Sequence, residues 1–409
     1  MILWKIAFSQ LRKNYIMNLF SMMQLTLVII LSSIMASSFQ LRYQYYAPFK
    51  EWMQSKGFLV RFGSMAHSLE NGSFLDSAAL LSELPGVSEV HACNSAMIYA
   101  ENTEHVFRQI SYDDEILNRL HPDLSEGRWL QITSDTSIVE VVVSKNAYNW
   151  SVGDTITLQA FTGSNPITFY AKVVGQIREN AHIFGFGNHG AKNVSANTIY
   201  QAYSTVAERQ PLLLFSKSAL QKIENEAGQR GLIQAIQGDA FVITYDTSSE
   251  QSLQDIAHQL MHDQTNVVIP LSEVNRNSRQ YLLEQVQRML PVFIIVFLLT
   301  AISCISNSAL TTRRRLHDYA VYYTLGLRWK QCAIINLMEF VFLAGGAVVC
   351  TGIFYLMSLF TPLNDQFRII PCNIVQICIV IIIVLALLIS MIMPFFIIRQ
   401  NTPKQILTK

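Results

Sequence analysis

Charged residues are scarce in this sequence and are absent from four long stretches. Only 14% of the 409 residues are charged and 51% are hydrophobic, whereas about a quarter of the residues of a soluble domain are usually charged. The charge-free stretches cover residues 14–41, 289–312, 340–364 and 369–398. Each is longer than the ~20 apolar residues that a helix needs to cross a bilayer. These features exclude a soluble globular protein, a disordered chain and a basic nucleic-acid-binding protein.

Motifs for nucleotide binding and catalysis are also missing. The sequence contains no Gly-x-x-x-x-Gly-Lys-Ser/Thr motif and no kinase-type glycine loop, so we predict no nucleotide site in this chain. No nucleophile, base and orienting group can be assigned as a set, which predicts that the chain is not an enzyme. Of the six cysteines, only Cys93 lies between the first two charge-free stretches, so that segment cannot close an internal disulfide.

The distribution of charge predicts a membrane topology. Residues 41–288 carry 18 Lys and Arg against 26 Asp and Glu, whereas the rest of the chain carries 12 against 3. By the positive-inside rule, the basic segments face the cytoplasm and the acidic segment faces outside. We therefore predict cytoplasmic termini, four transmembrane helices and one large outer domain. The predicted segments are an interfacial N-terminal helix (1–13), transmembrane helices (14–41, 289–312, 333–360 and 369–398), the outer domain (42–288), a cytoplasmic loop (313–330) and a cytoplasmic tail (399–409).

The N-terminal region leaves two alternatives open. A basic start before an apolar run is also typical of a cleavable signal peptide, but the run 16–39 is longer than the ~7 to 15 apolar residues of such a peptide. We therefore favour a membrane anchor. Residues 1–13 mix apolar side chains with Lys5, Arg12 and Lys13, which indicates a helix lying in the inner membrane interface. A cytosolic stub without an ordered role is the alternative.

The outer segment begins and ends with a strand–helix–strand pattern. Two such βαβ halves can pair as one ferredoxin-like α+β layer, because each half leaves a sheet face that needs a partner. We assign this base to residues 58–107 and 238–270, and an inserted β-rich subdomain to residues 108–210. The patterns are strands at 58–62 and 87–92 around a helix that starts at Ser73, and strands at 240–245 and 267–269 around a helix that starts at Ser248.

The inserted subdomain has strand-like runs at 138–144, 155–158 and 169–177. The Gly153-Asp154 turn between the first two runs predicts a β-hairpin. The loop 184–190 that follows is rich in glycine and aromatic residues. No strand–loop–helix context with Lys-Ser or Lys-Thr accompanies it, so we predict a flexible surface tip and not a phosphate site.

Three ionisable residues require an explanation. His258 and His262 have the i, i+4 spacing of metal ligands, but no Glu follows His258 in the zinc-protease order, so we favour a solvated helix face and predict no metal site. Glu339 lies at the start of the third apolar stretch. A carboxylate facing lipid costs about 2.5–3.5 kcal/mol at a helix centre, so we expect Glu339 to pair with a basic residue of the loop 313–330.

Four motifs follow one another in the outer segment. They are Glu126-Gly127-Arg128-Trp129, Val141-Val142-Val143-Ser144, Val152-Gly153-Asp154-Thr155-Ile156 and Ala171-Lys172-Val173-Val174-Gly175. The segment resembles the extracytoplasmic domain of MacB-type ABC transporter permeases, a group that includes FtsX, LolC and LolE. The resemblance implies an α-helical membrane protein with four transmembrane helices plus an α+β extracytoplasmic domain, built from two βαβ halves with an inserted β-rich subdomain. It also implies structural roles for Gly127, Arg128, Trp129, Gly153, Asp154 and Gly175.

The cytoplasmic loop and the tail extend the resemblance. Residues 313–330 resemble the coupling helix of this family, although His317-Asp318 stands where relatives usually have Arg-Glu. Pro394 and the run 401–407 resemble the family's C-terminal end. By this resemblance, the residues that contact the partner ATPase are Arg315, Asp318, Tyr319, Tyr322, Tyr323, Leu325, Gly326 and Arg328. The three tyrosines are expected to form one aromatic face, and Gly326 is expected to end the helix.

The resemblance implies a function without chemistry in this chain. It implies a permease subunit in the bacterial plasma (inner) membrane, without a cofactor of its own, that pairs with a second permease copy or a related permease chain. A dimer of ATPase subunits with ATP and Mg would drive the outer domain by mechanotransmission, for efflux or extraction of a peptide (an antimicrobial peptide, for example), a lipid-linked compound or a hydrophobic compound, with or without an adaptor. An FtsX-like regulator of a cell-wall hydrolase and a membrane sensor without ATPase coupling remain alternatives.

Overall fold

The chain forms two compact units, described separately here as the helical unit (Met1–Arg42 with Leu282–Lys409) and the sheet unit (Tyr43–Tyr281). The computed structural model describes residues 2–13, 15–62, 77–100, 106–132, 138–145, 150–162, 165–185, 193–204, 211–227, 237–245, 250–261, 267–327, 329–360 and 372–400.

The described secondary-structure elements follow one another in a helix–sheet–helix order along the chain. They are α1 (Ile2–Lys13), α2 (Tyr15–Tyr46), a 3-10 turn (Ala47–Phe49), α3 (Lys50–Gln54), β1 (Gly57–Phe62), α4 (Ser77–Ser82), β2 (Val87–Ala100), β3 (Val106–Tyr112), α5 (Asp114–Arg119), β4 (Leu124–Gly127), β5 (Val139–Val143), β6 (Thr155–Thr162), β7 (Asn165–Ile177), β8 (His182–Phe184), α6 (Ala196–Ile199), β9 (Tyr200–Ala202), β10 (Leu212–Ser216), α7 (Lys217–Ala227), β11 (Gln237–Thr244), α8 (Glu250–Met261), β12 (Val267–Pro270), α9 (Leu271–Arg314), α10 (Leu316–Thr324), α11 (Trp329–Leu359) and α12 (Asn373–Gln400).

Four described helical segments are long and apolar enough to cross a membrane. They are Tyr15–Gln54, Leu271–Arg314, Ile334–Ser358 and Asn373–Ile392, and they overlap the four predicted spans. The helices α2 and α9 continue well beyond the charge-free stretches, because helix formation does not stop where the side chains become polar. Each of these two helices therefore contributes residues to both units.

The helical unit packs its long helices around small and branched apolar side chains. Leu25, Val28 and Ile29 of α2 belong to one buried cluster with side chains of α9, α11 and α12. A β-carbon added at Gly346 of α11 would lie 2.7 Å from the Met22 sulfur, so glycine permits the close approach of α2. The amphipathic helix α1 packs on α11 through aromatic edges, with Trp4 and Phe8 against Phe342 at ring-centroid distances of 5.0 and 6.1 Å.

Ten of the described strands form one mixed sheet in the order β12-β1-β11-β2-β3-β10-β5-β7-β4, with β6 paired to β2 and β7. In the first four strands, β11 lies between β1 and β2 and is antiparallel to both. The units β1–α4–β2 and β11–α8–β12 therefore interlock as split βαβ units, the arrangement typical of a ferredoxin-like layer. Side chains of α4 and α8 pack with the same face of these strands.

The strands predicted as an inserted subdomain continue this sheet. Strand β3 pairs with β2 on one side and with β10 on the other, so β4, β5, β6 and β7 share a sheet with the base. Strands β8 and β9 pair with each other in a separate two-stranded sheet. The predicted hairpin around Gly153-Asp154 is wrong. In the described part of the chain, β6 pairs with β7 and β2, whereas β5 runs parallel to β7. A turn is present at Gly153, as predicted. The strands before and after it, β5 and β6, both pair with β7 and not with each other.

The predicted surface tip at 184–190 also differs from the structure where it is described. Phe184 is completely buried, and a β-carbon added at Gly185 would lie 2.3 Å from the sulfur of Cys93. The loop therefore begins inside the domain, because its first aromatic residue fills the core. Residues 186–190, the helix starts at Ser73 and Ser248, His262 and the tail from residue 401 lie outside the described residues.

Candidate functional site

The connection between α9 and α11 contains most of the predicted coupling residues. It holds α10, which ends at Thr324 with Leu325 as its C-cap residue. The backbone N–H of Gly326 donates to the carbonyl of Tyr323 (3.0 Å), and that of Leu327 donates to the carbonyl of Tyr322 (3.0 Å). Gly326 has a φ of +98°, a conformation that favours glycine. The helix therefore ends just before the glycine that the sequence indicated.

Arg315 points into the helical unit and forms an ion pair with Glu339 of α11. Both residues are buried, with 4% and 7% of their surface exposed. The prediction that Glu339 pairs with a basic residue of the loop is confirmed. The Nη2 atom of Arg315 is buried without a hydrogen-bond partner among the described residues. Because Arg315 is occupied inside its own chain, it is poorly placed for the direct partner contact that the resemblance implied.

Tyr319 is likewise buried, with 1% of its surface exposed. Its hydroxyl donates a hydrogen bond to Oδ1 of Asn336 (2.7 Å), and the amide of Asn336 donates to the hydroxyl of Thr312 (3.1 Å). The expectation that Tyr319, Tyr322 and Tyr323 form one exposed face is therefore wrong. Residues three and four apart share a helix face, and here the packing turns Tyr319 towards α11 while Tyr323 stays exposed.

The exposed part of this connection is apolar and basic. Val321, Tyr323 and Leu325 are exposed, Leu325 to 76%, and Arg313 and Arg314 at the end of α9 are also exposed. We call Val321, Tyr323 and Leu325 the exposed triad. Asp318 and Tyr322 are half-buried, and Arg328 lies outside the described residues. The connection thus combines a buried polar anchor, formed by Arg315 and Tyr319, with three exposed apolar side chains.

A polar cavity of about 50 Å³ adjoins the anchor inside the helical unit. Glu339 and Asn336 line it from α11, and hydrogen bonds bring polar side chains of other helices to it. The amide of Asn307 donates to the hydroxyl of Ser21 (2.7 Å), which joins α9 to α2. The hydroxyl of Ser308 donates to the backbone oxygen of Ser390 (2.8 Å), which joins α9 to α12. The polar groups of this unit therefore fix the neighbours of the anchor in place.

Two glycines of the motifs that carry the resemblance meet at one point of the sheet unit. Gly127 pairs with Gly175 across β4 and β7. A β-carbon at Gly127 would lie 2.3 Å from the backbone oxygen of Val174, and one at Gly175 would lie 2.4 Å from that of Arg128. Gly127 also has a φ of +80°. The two glycines thus allow two backbones to cross closer than any other residue would permit.

The other motif residues hold the same crossing. Arg128 forms a bidentate ion pair with Glu140, and this hydrogen bonding raises the pKa of the Arg128 guanidinium. The indole of Trp129 donates to the backbone oxygen of Leu117 (3.0 Å). The carboxylate of Asp154 accepts from the backbone N–H of Ser151 (2.8 Å) and closes the turn. These contacts are structural ones within the sheet unit.

The sequence analysis missed a buried charged group in the sheet unit. Arg61 of β1 and Asp239 of β11 are register partners, and their side chains lie 3.3 Å apart. Burial raises the pKa of Asp239 to about 6, although the nearby Arg61 opposes this shift. Cys93 is the next partner across β2, and burial and the charge of Asp239 raise the pKa of its thiol. Arg61 and Asp239 are charged residues at inward-facing positions of apolar strands. This sequence pattern could have indicated the buried ion pair.

The solved structures to which this chain is similar include two domains of transporter or permease proteins. No protein-family model matches the chain, and no curated protein matches it. The extracellular domain of the noncanonic ABC-type transporter YknZ from Gram-positive bacteria is 13% identical, with 52% of this chain and 99% of that chain covered and a TM-score of 0.26. A domain of a permease protein from Porphyromonas gingivalis is 11% identical, with 54% and 91% covered and a TM-score of 0.25. Both TM-scores are too low to assign a fold or a function.

Proposed function

We propose that this chain is the permease subunit of an ABC transporter and that the exposed triad docks on a separate ATPase subunit. Four long apolar helices and the MacB-type motifs in both the sheet unit and the α9–α11 connection support this proposal. The basic residues around the connection support a cytoplasmic position for it. A cytoplasmic ATPase would then meet α10, and the sheet unit would be extracytoplasmic.

The observation that carries the proposal is the combination of anchor and exposed surface in one short helix. Val321, Tyr323 and Leu325 of this connection are exposed and are therefore available for contact with another protein. At the same time, Arg315 and Tyr319 fix α10 on α11 through Glu339 and Asn336. A force applied to the exposed triad would therefore move α11 with it.

The proposed output is motion of the sheet unit. The helices α2 and α9 contribute residues to both units, so a shift of the helical unit would act on the sheet unit through continuous backbone. A dimer of ATPase subunits with ATP and Mg, together with two permease chains, would supply that motion. The proposed substrates are a peptide, a lipid-linked compound or a hydrophobic compound that is exported or extracted.

The test uses the full chain reconstituted in nanodiscs together with an ATP-binding cassette ATPase from the same organism that co-purifies with it. Leu325→Asp should lower the stimulation of ATP hydrolysis by this chain at least tenfold, since one buried apolar anchor of an interface commonly contributes about 2 kcal/mol. Leu325 is 76% exposed, so the substitution should leave the fold intact. Tyr323→Ala should have a smaller effect in the same direction.

The matched control is His317→Ala, which changes an exposed residue of α10 outside the triad. It should leave both association and stimulation unchanged. If Leu325→Asp and His317→Ala both retain full stimulation, α10 is not the docking helix. If no ATPase subunit associates and the chain still responds to an external ligand, the membrane sensor becomes the better explanation.

A further inference from the structure

The N-terminal helix α1 is covered by protein on one side only in the described part of the chain. Ala7 is completely buried, and the rings of Trp4 and Phe8 meet Phe342 of α11 edge-on. Trp4 and Phe8 nevertheless keep 48% and 64% of their surface exposed. One edge of each ring therefore packs on α11, and the remainder of each ring faces the surroundings of the chain.

The uncovered side of α1 combines aromatic rings with a cation. Trp4, Phe8 and Arg12 follow one another at intervals of four residues and are all exposed, so they lie on one face of the helix. We call these three residues the α1 stripe. Ser9 is exposed on the same side of α1. Aromatic rings together with an arginine are typical of a helix at the boundary between the headgroups and the acyl chains of a membrane.

The apolar surface of the stripe continues into the first candidate membrane span. The amide of Asn18 donates to the backbone oxygen of Leu11 (3.0 Å), which ties the end of α1 to the start of α2. The span Tyr15–Gln54 is long and apolar enough to cross a membrane, and lipid covers the exposed apolar side chains of such a helix. Because these side chains begin three residues after the stripe, we favour a lipid over a protein as its partner. The exposed apolar side chains near the start of α2 are Tyr15, Ile16, Leu19, Phe20, Met23 and Leu27.

The charge of this region selects the kind of lipid. Residues 1–50 contain no Asp or Glu, and Lys5, Arg12 and Lys13 give α1 a charge of about +3. Cations near a membrane surface are attracted by anionic headgroups, each with a measurable share of the binding. A zwitterionic headgroup offers the same phosphate together with an ammonium group that repels these cations. The sequence around the stripe is therefore complementary to anionic phospholipids.

We propose that the α1 stripe is a docking surface for the headgroups of anionic phospholipids. The guanidinium of Arg12 donates hydrogen bonds to the headgroup phosphate, a planar recognition for which arginine is well suited. Trp4 and Phe8 pack on the first methylene groups of the acyl chains, next to that phosphate. The docked lipid covers the side of α1 that α11 leaves open.

The test uses the full chain in phosphatidylcholine nanodiscs and measures which lipid lies beside α1. The six native cysteines are replaced by alanine, and Ser9→Cys carries a nitrobenzoxadiazole fluorophore next to the stripe. A small fraction of the lipid, either phosphatidylglycerol or phosphatidylcholine, bears a nitroxide on its acyl chain and quenches the fluorophore on contact. At equal mole fraction, labelled phosphatidylglycerol should quench about threefold more strongly than labelled phosphatidylcholine.

Variants separate the charge of the stripe from its rings. Arg12→Gln should reduce this quenching ratio by about half, and Arg12→Lys should keep it. Lys50→Gln is the matched control, because it removes one positive charge from an exposed residue of α3 and should leave the ratio unchanged. Phe8→Ser should lower the quenching by both lipids and keep their ratio, since it removes an apolar ring and no charge. Raising NaCl to about 0.5 M shortens the Debye length to about 4 Å and should bring the ratio closer to one.

Three results would overturn the proposal. Equal quenching by both lipids in the wild type would mean that α1 touches the bilayer without selecting a headgroup. A preference for phosphatidylglycerol that Arg12→Gln leaves unchanged would place the lipid away from the stripe. Weak quenching by both lipids, with energy transfer between labels on two chains, would mean that a second copy covers the stripe. The assay contains no ATPase, so the lipid surface and the proposed transporter function can fail separately.

Discussion

The two units each contain a buried pair of arginine and carboxylate, but the pairs have different surroundings. Arg315 and Glu339 join an exposed short helix to α11, beside a polar cavity and the amide of Asn336. Arg61 and Asp239 join two neighbouring strands, β1 and β11, near one edge of the sheet. Aromatic rings cover that face of the sheet, where Phe241 packs against Phe49, Trp52 and Phe184 at centroid distances of 4.9, 5.2 and 5.6 Å.

Because their surroundings differ, the two buried ion pairs should have different roles. The pair in the helical unit fixes the position of a surface helix, so its loss would release α10 as well as cost stability. The pair in the sheet unit lies in a dry core, where desolvation opposes the ionised carboxylate and raises the pKa of Asp239 to about 6. We therefore expect the Arg315–Glu339 pair to hold α10 in position and the Arg61–Asp239 pair to make the stability of the sheet unit depend on pH.

Removing one partner of the helical pair should give the largest effect. Glu339→Leu leaves the Arg315 guanidinium buried without its carboxylate, which should lower the free energy of unfolding of the helical unit by about 3–5 kcal/mol. The measurement is thiol labelling of Cys304, which is buried in this unit, in a chain whose other five cysteines are replaced. Labelling should become faster at all denaturant concentrations below the transition.

The double variant Arg315→Met with Glu339→Leu sharpens this result. Removing both charges leaves no uncompensated group, so the labelling rate of Cys304 should return close to that of the parent chain. The exposed triad should nevertheless support less ATPase stimulation, because α10 has lost its ionic anchor. A double variant as unstable as Glu339→Leu would show that the leucine itself, and not the unpaired arginine, causes the loss.

The sheet pair should give the next largest effect, as a dependence on pH. The pKa of Asp239 is about 6 in the folded chain and 3.8 in its ordinary state, so the folded state binds more protons between these values. The free energy of unfolding should therefore fall as pH rises from about 4 to about 7, by up to about 3 kcal/mol from this group, and stay level above about pH 7. Thiol labelling of Cys93, buried in the sheet unit, reports it.

Asp239→Asn is the matched variant for this pH dependence. The wild-type and variant curves should differ in slope between about pH 4 and about pH 7 and run parallel above about pH 7. Burial also raises the pKa of Asp113 and lowers that of His182, and protonation of His182 lowers stability as pH falls below about 6.5. Both groups remain in the variant, so the difference between the two curves isolates Asp239. Curves that are parallel throughout would contradict the assignment.

The sequence predicted contacts that a residue requires because of its own chemistry. It did not predict contacts that depend on which strands or helices become neighbours in the fold. A carboxylate in an apolar stretch needs a partner, so the pairing of Glu339 could be predicted. The alternation of apolar residues placed β5, β6 and β7 nearly where they are. Their partners could not be derived, because Gly153-Asp154 specifies a turn but not which strand returns beside β6. The inward direction of Tyr319 depends on Asn336, which lies on another helix.

Substitutions of Gly175 in the sheet unit and of Gly326 after α10 should have the smallest effects on stability. They compare two different reasons for a glycine. Gly175 has ordinary backbone angles, but its β-carbon would lie 2.4 Å from a backbone oxygen, whereas Gly326 has a φ of +98° and open space around it. Gly175→Ala should cost about 1–3 kcal/mol through overpacking, and Gly326→Ala about 1–2 kcal/mol through backbone strain. Asparagine distinguishes the causes, because it tolerates left-handed angles. Gly326→Asn should therefore show nearly the wild-type rate of Cys304 labelling. Gly175→Asn should instead increase the labelling of Cys93 more than Gly175→Ala does, because its side chain is larger. If Gly326→Asn labels faster than Gly326→Ala, then space, and not the backbone angle, limits the turn after α10.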